Sequence, residues 1–484
     1  MEAERSLLGK GTTLLKNLQH MALSVNESGA RLFVTRFLRH FISIGCLTIL
    51  EDGGTMFTFG GNYSNCLLKS ILKIHSPQFY WKVMTQADLG LADAYISGDF
   101  SFVDKELGML NLIMVHNMFT SSITRVIYNV YLLTRQNFLQ ILIANRDFFF
   151  FFCNWLIANR DLSSRKPNFG KKRGWWTPMF LTAGLASAKY FFKHVSRQNT
   201  LTQARRNISR HYDLSNELFS LFMDDTMAYS SAVFKSENED LRTAQMRKIT
   251  LLIEKARIEK NHGVLELGCG WGTLAVEVVR RTGCKYTGIT LSIEQLKYAE
   301  AKVKEARLED RITFKLCDYR QLSDAQKYDR IIACCCEVAL AKDGIFVMQF
   351  TAVPEELYDE IRLSSGFITE YIFPGGCLPS LARVTSAMSF SSKLCIEDVE
   401  NIGIHYYYTL RCWRKRFLEN QKQIMELGFD DKFIRTWEYY FDYVAAGFKT
   451  LTLRSYQIVF SRPGNIAAFG DPFRSFPSAL KKQE

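Results

Sequence analysis

Apolar and polar positions follow two different patterns along this chain, and the change of pattern divides it. From about residue 189 to residue 460, short apolar runs typical of buried strands alternate with segments of helical period. This alternation is typical of a parallel α/β sheet. The predicted strands are Val264–Leu267, Tyr286–Thr290, Ile312–Leu316, Tyr328–Ile332, Ile345–Phe350 and Tyr456–Ser461, and the predicted helices are Gly272–Thr282, Ser292–Ala306 and Tyr358–Ser364.

The first 165 residues show less regular patterns, and 484 residues are too many for one ordinary core. We predict a helical extension over residues 1–55 and a hairpin at Met56–Tyr63, turning at Gly60-Gly61. A smaller, mostly helical α+β domain follows over residues 56–165, with a strand near Leu67–His75. The remaining boundaries place a linker at 166–188, the larger domain at 189–465 and a C-terminal tail at 466–484.

The net charge of +12 points to an anionic partner, and nucleic acid and membrane surfaces are the usual ones. The sequence carries no RNP, zinc-finger or helix-turn-helix signature, so we predict no nucleic acid partner. A solvated basic face without a partner is the alternative. The 37 Phe and 21 Tyr residues supply material for apolar pockets.

The 12 cysteines do not form a disulfide framework, because Cys334, Cys335 and Cys336 are consecutive and adjacent cysteines bridge poorly. Their spacing also predicts no metal site. The longest mostly apolar run, Phe148–Ala158, is too short to span a bilayer. We therefore expect a cytoplasmic protein whose membrane contact is peripheral.

The run Val264–Gly272 leads from an apolar strand into a helix and carries the glycine spacing G-x-G-x-G. Glycines allow a tight turn and close approach of backbone to a ligand. The helix N-terminus adds unsatisfied N–H groups. Glu266, just before the turn, suits a ligand with an amino group, such as S-adenosylmethionine. The predicted binding residues of this turn are Gly268, Cys269, Gly270 and Gly272.

The next two predicted strands also end in polar residues. Thr290, Ser292 and Gln295 follow the second strand and can hydrogen-bond a ribose, with Ser292 as a helix N-cap. The second strand ends without Asp or Glu, which argues against NAD. Asp318 and Tyr319 follow the third strand and are placed to hold an adenine. The alternative is an α/β domain with ordinary turns and no nucleotide.

Five runs of this sequence resemble the cyclopropane-fatty-acyl-phospholipid synthases and the related mycolic-acid methyltransferases, plant members above all. The resemblance covers about residues 56 to 465. It implies the class I S-adenosylmethionine-dependent methyltransferase fold, a Rossmann-like sheet, with a smaller N-terminal domain. It also implies methylene transfer to the cis double bond of a phospholipid acyl chain. The matching runs are His211–Asn216, Val264–Gly272, Gly288–Ser292, Asp318–Arg320 and Tyr371–Gly376.

The resemblance also implies roles for single residues. Tyr229 and Ser230 would close over the cofactor, and Tyr406 would help to hold a bicarbonate ion that acts as the base. No metal is implied. The residues that would line the cofactor pocket are Glu266, Gly268, Gly270, Thr290, Gln295 and Asp318.

The sequence departs from this family after the fourth strand. Only Ala333–Gly344 remains before the next strand, close to the minimum for a parallel crossover. The family has a longer connection here, with a glutamate that helps to bind bicarbonate, and we do not assign that role to Glu337. Ser231 stands where many relatives have cysteine, and Gln349 where bacterial members have histidine. Both can preserve hydrogen bonds and remain catalytic candidates.

A basic and aromatic stretch precedes the larger domain and suits an anionic membrane surface, although a solvated helix face is an equal alternative. Three functions stay open: an active cyclopropane synthase, a relative that binds cofactor or lipid without turnover, and a methyltransferase for a soluble acceptor. A homodimer is also open. The stretch comprises Lys189, Phe191, Phe192, Lys193, Arg197, Arg205, Arg206 and Arg210.

Overall fold

The computed structural model describes residues 27–39, 42, 45–60, 67–115, 200–322, 327–333, 340–363 and 366–470. It divides the chain into two compact units. The first comprises Met1–Arg197, Leu363–Phe367 and Asp430–Ala446, and the second comprises Gln198–Arg362, Ile368–Phe429 and Gly447–Glu484. The predicted linker at 166–188 lies outside the described residues.

The first unit contains a four-stranded sheet in the order β2-β1-β3-β4, in which β1 pairs antiparallel with β2 and parallel with β3. The predicted strand near residues 67–75 is confirmed as β3. A long helix, α1 (Gln78–Ser97), joins β3 to β4, and residues 27–39 and 108–115 are also helical. The strands are β1 (Cys46–Glu51), β2 (Met56–Gly60), β3 (Lys69–Ile74) and β4 (Phe100–Phe102).

The predicted hairpin at Met56–Tyr63 is wrong in its turn. Met56–Gly60 is the second strand of the hairpin, and the turn lies at residues 52–55, where Gly54 has a φ of 82°. Asp52-Gly53-Gly54 supplies the residues that such a tight turn needs. The first strand therefore falls inside residues 1–55, which were expected to be a helical extension.

The second unit contains a seven-stranded sheet in the order β10-β11-β9-β8-β5-β6-β7. Strands β5 to β9 run parallel, whereas β11 and β10 are antiparallel to their neighbours. The order reverses beside β5, and ligands bind at such a switch point in open α/β sheets. The strands are β5 (Gly263–Leu267), β6 (Lys285–Thr290), β7 (Ile312–Leu316), β8 (Tyr328–Ala333), β9 (Leu340–Ala352), β10 (Cys395–Asn401) and β11 (Arg454–Ser461).

All six predicted strands of this sheet are confirmed, while β10 was not predicted. Helices connect the strands, and side-chain caps fix where several of them begin. The helices are α2 (Leu201–Tyr212), α3 (Asn216–Phe222), α4 (Leu241–Ala256), α5 (Thr273–Thr282), α6 (Ile293–Ala306), α7 (Glu355–Leu363), α8 (Leu381–Ser391), α9 (Gly403–Glu419), α10 (Gln421–Glu426), α11 (Asp431–Lys449) and α12 (Ile466–Phe469). The caps are Thr200, Asp240 and Ser292, each accepting a backbone N–H three residues on at 3.1 Å.

Residues 430–446 were predicted to lie in the larger domain but belong to the first unit. The contacts of α11 give the reason. The Tyr95 hydroxyl on α1 donates to Glu438 Oε2 at 2.7 Å, and the Tyr95 and Tyr439 rings lie 6.0 Å apart. The Tyr443 hydroxyl donates to Asp88 Oδ2 at 3.3 Å. The first unit is therefore built from three separate parts of the sequence.

The two faces of the larger sheet are buried against different helices. Leu265, Ile331 and Phe346 are in register on neighbouring strands and share one core with residues of α8. The next row consists of Glu266, Ile332 and Val347, and its two apolar members share the other core with residues of α4 and α5. Since each buried aliphatic side chain contributes about 1.5–3 kcal/mol, a carboxylate in such a row is a feature that requires a reason.

The connection between β8 and β9 is shorter than the sequence predicts. Strand β9 begins at Leu340, opposite Tyr328 in the parallel register, and so only the six residues 334–339 connect the two strands. A parallel crossover usually takes a dozen or more residues. Glu337 and the three consecutive cysteines lie in this connection, outside the described residues.

Within the described ranges, no helix has the length and apolar content needed to cross a membrane. The start of the predicted C-terminal tail is structured. Residues Ile466–Phe469 form α12, and the Arg257 guanidinium lies 4.6 Å from the centre of the Phe469 ring. The last fourteen positions, 471–484, are outside the described residues.

Candidate active site

The glycine-rich turn lies between β5 and α5 at the switch point of the sheet. Gly270 has a φ of 51°, and a Cβ added there would meet no atom within 4 Å. Gly272 has a φ of 81°, but its Cβ would lie 2.9 Å from the Cβ of Ala299. Gly268 resembles Gly270 in this respect, with open space beside it. Two glycines thus leave room for a ligand, and the third allows α5 and α6 to pack closely.

Glu266 is almost fully buried on β5, just before this turn, with 7% of its surface exposed. The Tyr286 hydroxyl on β6 donates to Glu266 Oε2 at 2.9 Å. Burial raises the pKa of Glu266 to about 7, while the Tyr286 hydrogen bond and the positive charge of Lys248 act in the opposite direction. A buried carboxylate of this kind can accept hydrogen bonds from a cationic ligand.

The turn after β6 contains three predicted binding residues, which are hydrogen-bonded to one another. The Thr290 hydroxyl donates to Gln295 Oε1 at 2.8 Å, and the Ser292 N–H donates to Thr290 Oγ1 at 3.2 Å. Ser292 caps α6, as predicted. These side chains are buried and held in fixed orientations. Their predicted contact with a ribose stays a prediction.

The run His211–Asn216, singled out by the resemblance, supports both turns. The Ser292 hydroxyl donates to Asp213, and the Trp271 indole N–H in the glycine-rich turn donates to Asn216 Oδ1 at 2.7 Å. His211 is buried, which lowers its pKa to about 3. It is therefore neutral at physiological pH.

Asp318 and Tyr319 follow β7, as predicted, and Tyr319 packs against the core that contains Leu265. The Asp318 carboxylate caps the short 3₁₀ turn Tyr319–Gln321 and accepts from Arg320 Nε at 2.8 Å and Nη2 at 2.7 Å. This arginine lowers the pKa of Asp318. The carboxylate thus has a structural role here, while its predicted role in adenine binding stays a prediction.

Tyr229, Ser230 and Ser231 belong to an extended segment held by α4 and α9. Ala232, next in this segment, donates its N–H to Thr409 Oγ1 at 3.0 Å. The fully buried Ser231 donates its hydroxyl to the Ala232 carbonyl oxygen at 2.9 Å. Thr409 lies about one helical turn after Tyr406 on α9. The hydrogen bond between Ala232 and Thr409 therefore brings the adjacent Ser231 to the part of α9 that carries Tyr406.

Four aromatic rings form a continuous row from this segment into α9 and α11, here called the aromatic row. The ring of Tyr229 lies 5.0 Å from that of Trp413, and Trp413 meets Tyr406 edge-on at 6.1 Å. Tyr406 stacks on Phe448 at 4.6 Å. The Trp413 Nε1–H is buried and has no hydrogen-bond partner in the described part of the chain. The sequence did not single out Trp413.

Gln349 lies on β9, and its Oε1 accepts a hydrogen bond from Gln457 Nε2 on β11 at 3.0 Å. The two residues are directly opposite in the antiparallel register. Val347 is in the same row as Glu266, and Gln349 lies two residues after Val347 on β9. Gln349 therefore faces the same side of the sheet as Glu266. Its predicted catalytic role stays a prediction.

Lys248 and Gln245 on α4 were missed by sequence reasoning. Gln245 Nε2 donates to the carbonyl oxygens of Ala228 at 3.1 Å and Ser230 at 2.9 Å. Lys248 Nζ donates to Ser230 Oγ at 3.1 Å. Both side chains are buried. Polar residues three apart within an otherwise apolar helix face were the available signal.

A sheet of this order, with a glycine-rich turn after its first parallel strand and polar turns after the next two, defines a class I S-adenosylmethionine-dependent methyltransferase. The family model described as mycolic acid cyclopropane synthetase matches residues 199–336 and 333–458. The chain belongs to this family. The two matched segments meet at residues 333–336, where the sequence departs from its relatives, and residues before 199 lie outside the match.

The chain is 36% identical to the tuberculostearic acid methyltransferase of Mycobacterium tuberculosis, covering 54% of this chain and 66% of that protein. It is 32% identical to the cyclopropane-fatty-acyl-phospholipid synthase of Escherichia coli K12, covering 52% and 66%. A sphingolipid C9-methyltransferase of Komagataella phaffii is 30% identical over 49% and 54%. The chain thus spans about two thirds, or less, of these relatives. The solved cyclopropane synthase MmaA2 of Mycobacterium tuberculosis matches at a TM-score of 0.49 with 22% identity, covering 53% and 98%.

Proposed function

We propose that this protein transfers a one-carbon unit from S-adenosylmethionine to the cis double bond of an unsaturated phospholipid acyl chain and forms a cyclopropane ring. The observation that carries the proposal is the aromatic row, which begins at Tyr229 beside Ser230 and continues to Tyr406. The names of the relatives, which include a cyclopropane-fatty-acyl-phospholipid synthase, support the same substrate class.

The site fits the cofactor. Open space beside Gly268 and Gly270 leaves the backbone of the turn accessible, and Glu266 offers an acceptor for an amino group. Bound S-adenosylmethionine would supply an electrophilic methyl group. Its holding residues would be Tyr229, Ser230, Glu266, Gly268, Cys269, Gly270, Gly272, Thr290, Ser292, Gln295, Asp318 and Tyr319.

The aromatic row meets the demands of alkene chemistry. An alkene is a weak nucleophile, so it must be held close to the methyl donor and in line with it. Attack leaves a positive charge on the acyl chain, and aromatic faces stabilise such a charge without reacting with it. Ring closure then requires loss of a proton to a base. In this proposal the Trp413 and Tyr406 rings would lie beside the charged carbon.

We also propose a bicarbonate site beside Tyr406. The buried Trp413 Nε1–H lacks a partner among the described residues, and a buried donor without an acceptor costs about 1–3 kcal/mol. An anion would satisfy it. Tyr406 and Trp413 would hold the ion, with Ser231 brought near through the Ala232–Thr409 hydrogen bond, and the ion would supply a base. Gln349 stays a catalytic candidate from the sequence alone. Glu337 is not assigned a role.

The experiment incubates the full chain with methyl-labelled S-adenosylmethionine and vesicles of cis-unsaturated phosphatidylglycerol. Label in a ring-containing acyl chain supports the proposal. Label in a methyl-branched chain without a ring contradicts ring closure and leaves a lipid methyltransferase. Transfer only to soluble acceptors contradicts the lipid substrate.

The short connection between β8 and β9 favours a second candidate, a relative that binds cofactor without turnover. The family match falls into two segments that overlap at residues 333–336, and only six residues join the strands. This candidate predicts cofactor binding without lipid product. It also predicts that a variant with a connection of family length regains product formation, whereas an active wild-type protein contradicts it.

We further propose that the protein works at a phospholipid surface as a peripheral protein of the cytoplasm. Arg205, Arg206 and Arg210 on α2 are exposed, and Leu201 is 43% exposed at its start. Residues 189, 191–193 and 197 of the predicted basic stretch lie outside the described residues. Sedimentation with anionic vesicles should decrease with added salt and with Arg205→Glu/Arg206→Glu, whereas binding unaffected by either contradicts electrostatic docking.

A further inference from the structure

Two buried polar side chains on α4 hold the segment that contains Ser230. Gln245 and Lys248 are three residues apart and so share one helix face. Gln245 fixes the backbone of the segment through two carbonyl oxygens, and Lys248 reaches the Ser230 hydroxyl at 3.1 Å. Lys248 is only 6% exposed. A lysine is seldom buried to this extent without a specific partner.

The hydrogen bond between Lys248 and Ser230 has a defined direction. An ammonium group has three donors and no acceptor, so the Ser230 oxygen must accept. The Ser230 O–H is then left to donate elsewhere. A serine fixed in this way is suited to a negatively charged oxygen, such as that of a carboxylate.

Lys248 also acts on Glu266. Its positive charge lowers the pKa of this carboxyl against the larger effect of burial. The other titratable groups coupled to Glu266 are Tyr286, which donates to it, and Cys269, and both have pKa values raised well above their usual range. Lys248 is therefore the positive charge that favours an ionised Glu266.

We propose that Lys248 is a positioning residue for the amino-acid end of S-adenosylmethionine. It makes Ser230 a donor for the carboxylate of the cofactor and keeps Glu266 an acceptor for its ammonium group. The proposal rests on the proposed cofactor role of Ser230 and Glu266. The proposal gives α4 a role in recognising the zwitterionic part of the cofactor, although this helix lies outside the glycine-rich turn.

The test compares two ligands by calorimetry. S-adenosylhomocysteine carries the amino-acid end, and 5′-methylthioadenosine lacks it. Because the variant removes the charge-assisted hydrogen bond that orients Ser230, Lys248→Met should weaken S-adenosylhomocysteine binding about ten-fold or more. Binding of 5′-methylthioadenosine should change less than about two-fold. The control is Arg242→Met, which removes the same charge from an exposed position of α4.

A pH series separates this role from a structural one. Wild-type affinity for S-adenosylhomocysteine should fall as the pH drops through about 7, where Glu266 takes up a proton. In Lys248→Met the pKa of Glu266 rises, so the fall should begin at higher pH. Lys248→Gln should show the same shift while it keeps a donor for Ser230, and it serves as the test if Lys248→Met does not fold.

The outcomes are distinct. Equal losses for both ligands, no loss for either, or an unshifted pH profile overturn the role of Lys248. A wild-type protein that binds neither ligand overturns the cofactor assignment itself, independently of Lys248.

Discussion

Tyr286 on β6 donates its hydroxyl hydrogen to Glu266 on β5 at 2.9 Å, and this bond joins two buried side chains beneath the glycine-rich turn. Glu266 stands in register with Ile332 and Val347, so its carboxylate lies in an otherwise apolar row. An ionised carboxylate at such a position lowers the stability of the folded protein, because burial disfavours its charge. Stability and ligand binding should therefore respond in opposite directions when the carboxylate is removed.

The first prediction concerns Glu266→Gln. The pKa of Glu266 in the folded protein, about 7, lies above the ordinary 4.5. The contribution of this carboxyl group to folding stability is therefore fully present below pH 4.5 and is lost as the pH rises through 7. The decline amounts to about 3 kcal/mol. Glu266→Gln should thus raise the melting temperature without ligand at pH 8 and change it little at pH 4.5, while S-adenosylhomocysteine binding is lost.

Calorimetric melting at both pH values checks this, with Glu309→Gln at an exposed position as the control. A variant that is less stable than wild type at pH 8 would show that the carboxylate is satisfied by its neighbours in the absence of ligand.

The second prediction separates two glycines of one turn. Gly270→Val should abolish S-adenosylhomocysteine binding, because its side chain enters the open space beside the turn. Its positive φ adds about 1–2 kcal/mol of strain, so the protein should still fold. Gly272→Ala should instead lower the melting temperature, because its Cβ would lie 2.9 Å from that of Ala299. Unchanged affinity in Gly270→Val contradicts the cofactor site.

The sequence predicts the larger sheet well because its central parallel strands, such as β5 and β8, are buried on both faces and read as apolar runs. The glycine-rich turn and the Ser292 cap are likewise local signals. Strand β10 was missed because it is an edge strand with every side chain exposed, and its acidic residues give no apolar pattern. The first hairpin was misplaced because the sequence has two Gly-Gly pairs, at residues 53–54 and 60–61, and each is suited to the turn. The turn forms at the first pair, where β1 also pairs with the distant strand β3.

The site shows the same division between local and distant information. Glycine and cap positions are set within one turn of chain and can be read from the sequence. Lys248 reaches Ser230 across 18 positions of sequence, and Trp413 meets Tyr229 across a longer separation still. Such contacts depend on how helices pack in three dimensions. The two polar residues on an apolar face of α4 mark Lys248 as unusual, but they do not identify its partner. The grouping of residues 430–446 with the first unit likewise rests on contacts between distant parts of the sequence.

The third prediction concerns Trp413→Phe, which keeps an aromatic ring but removes the buried Nε1–H. Lipid product formation should fall about ten-fold or more if this donor holds an anion, since a hydrogen bond to a charged group contributes about 1.5–3 kcal/mol. The Kd of S-adenosylhomocysteine should stay within about two-fold of wild type, because phenylalanine keeps an aromatic ring against Tyr229, the holding residue that Trp413 contacts.

The control for Trp413→Phe is Phe417→Leu on the same helix, which is buried but lies outside the aromatic row. Equal loss of activity in both variants would indicate a general packing effect of α9 and count against an anion site at Trp413.

The fourth prediction isolates the Tyr406 hydroxyl. Tyr406→Phe keeps the ring that stacks on Phe448 at 4.6 Å, so the melting temperature should change little. Product formation should fall while cofactor affinity is retained, because the hydroxyl is proposed to act after methyl transfer has begun. Tyr407→Phe is the matched control, because it removes a hydroxyl from the adjacent residue. That hydroxyl accepts a hydrogen bond from Lys449 Nζ on α11 at 3.1 Å. If added bicarbonate stimulates wild type and Tyr406→Phe to the same degree, Tyr406 does not hold the ion, and the base for ring closure must be sought elsewhere along the aromatic row.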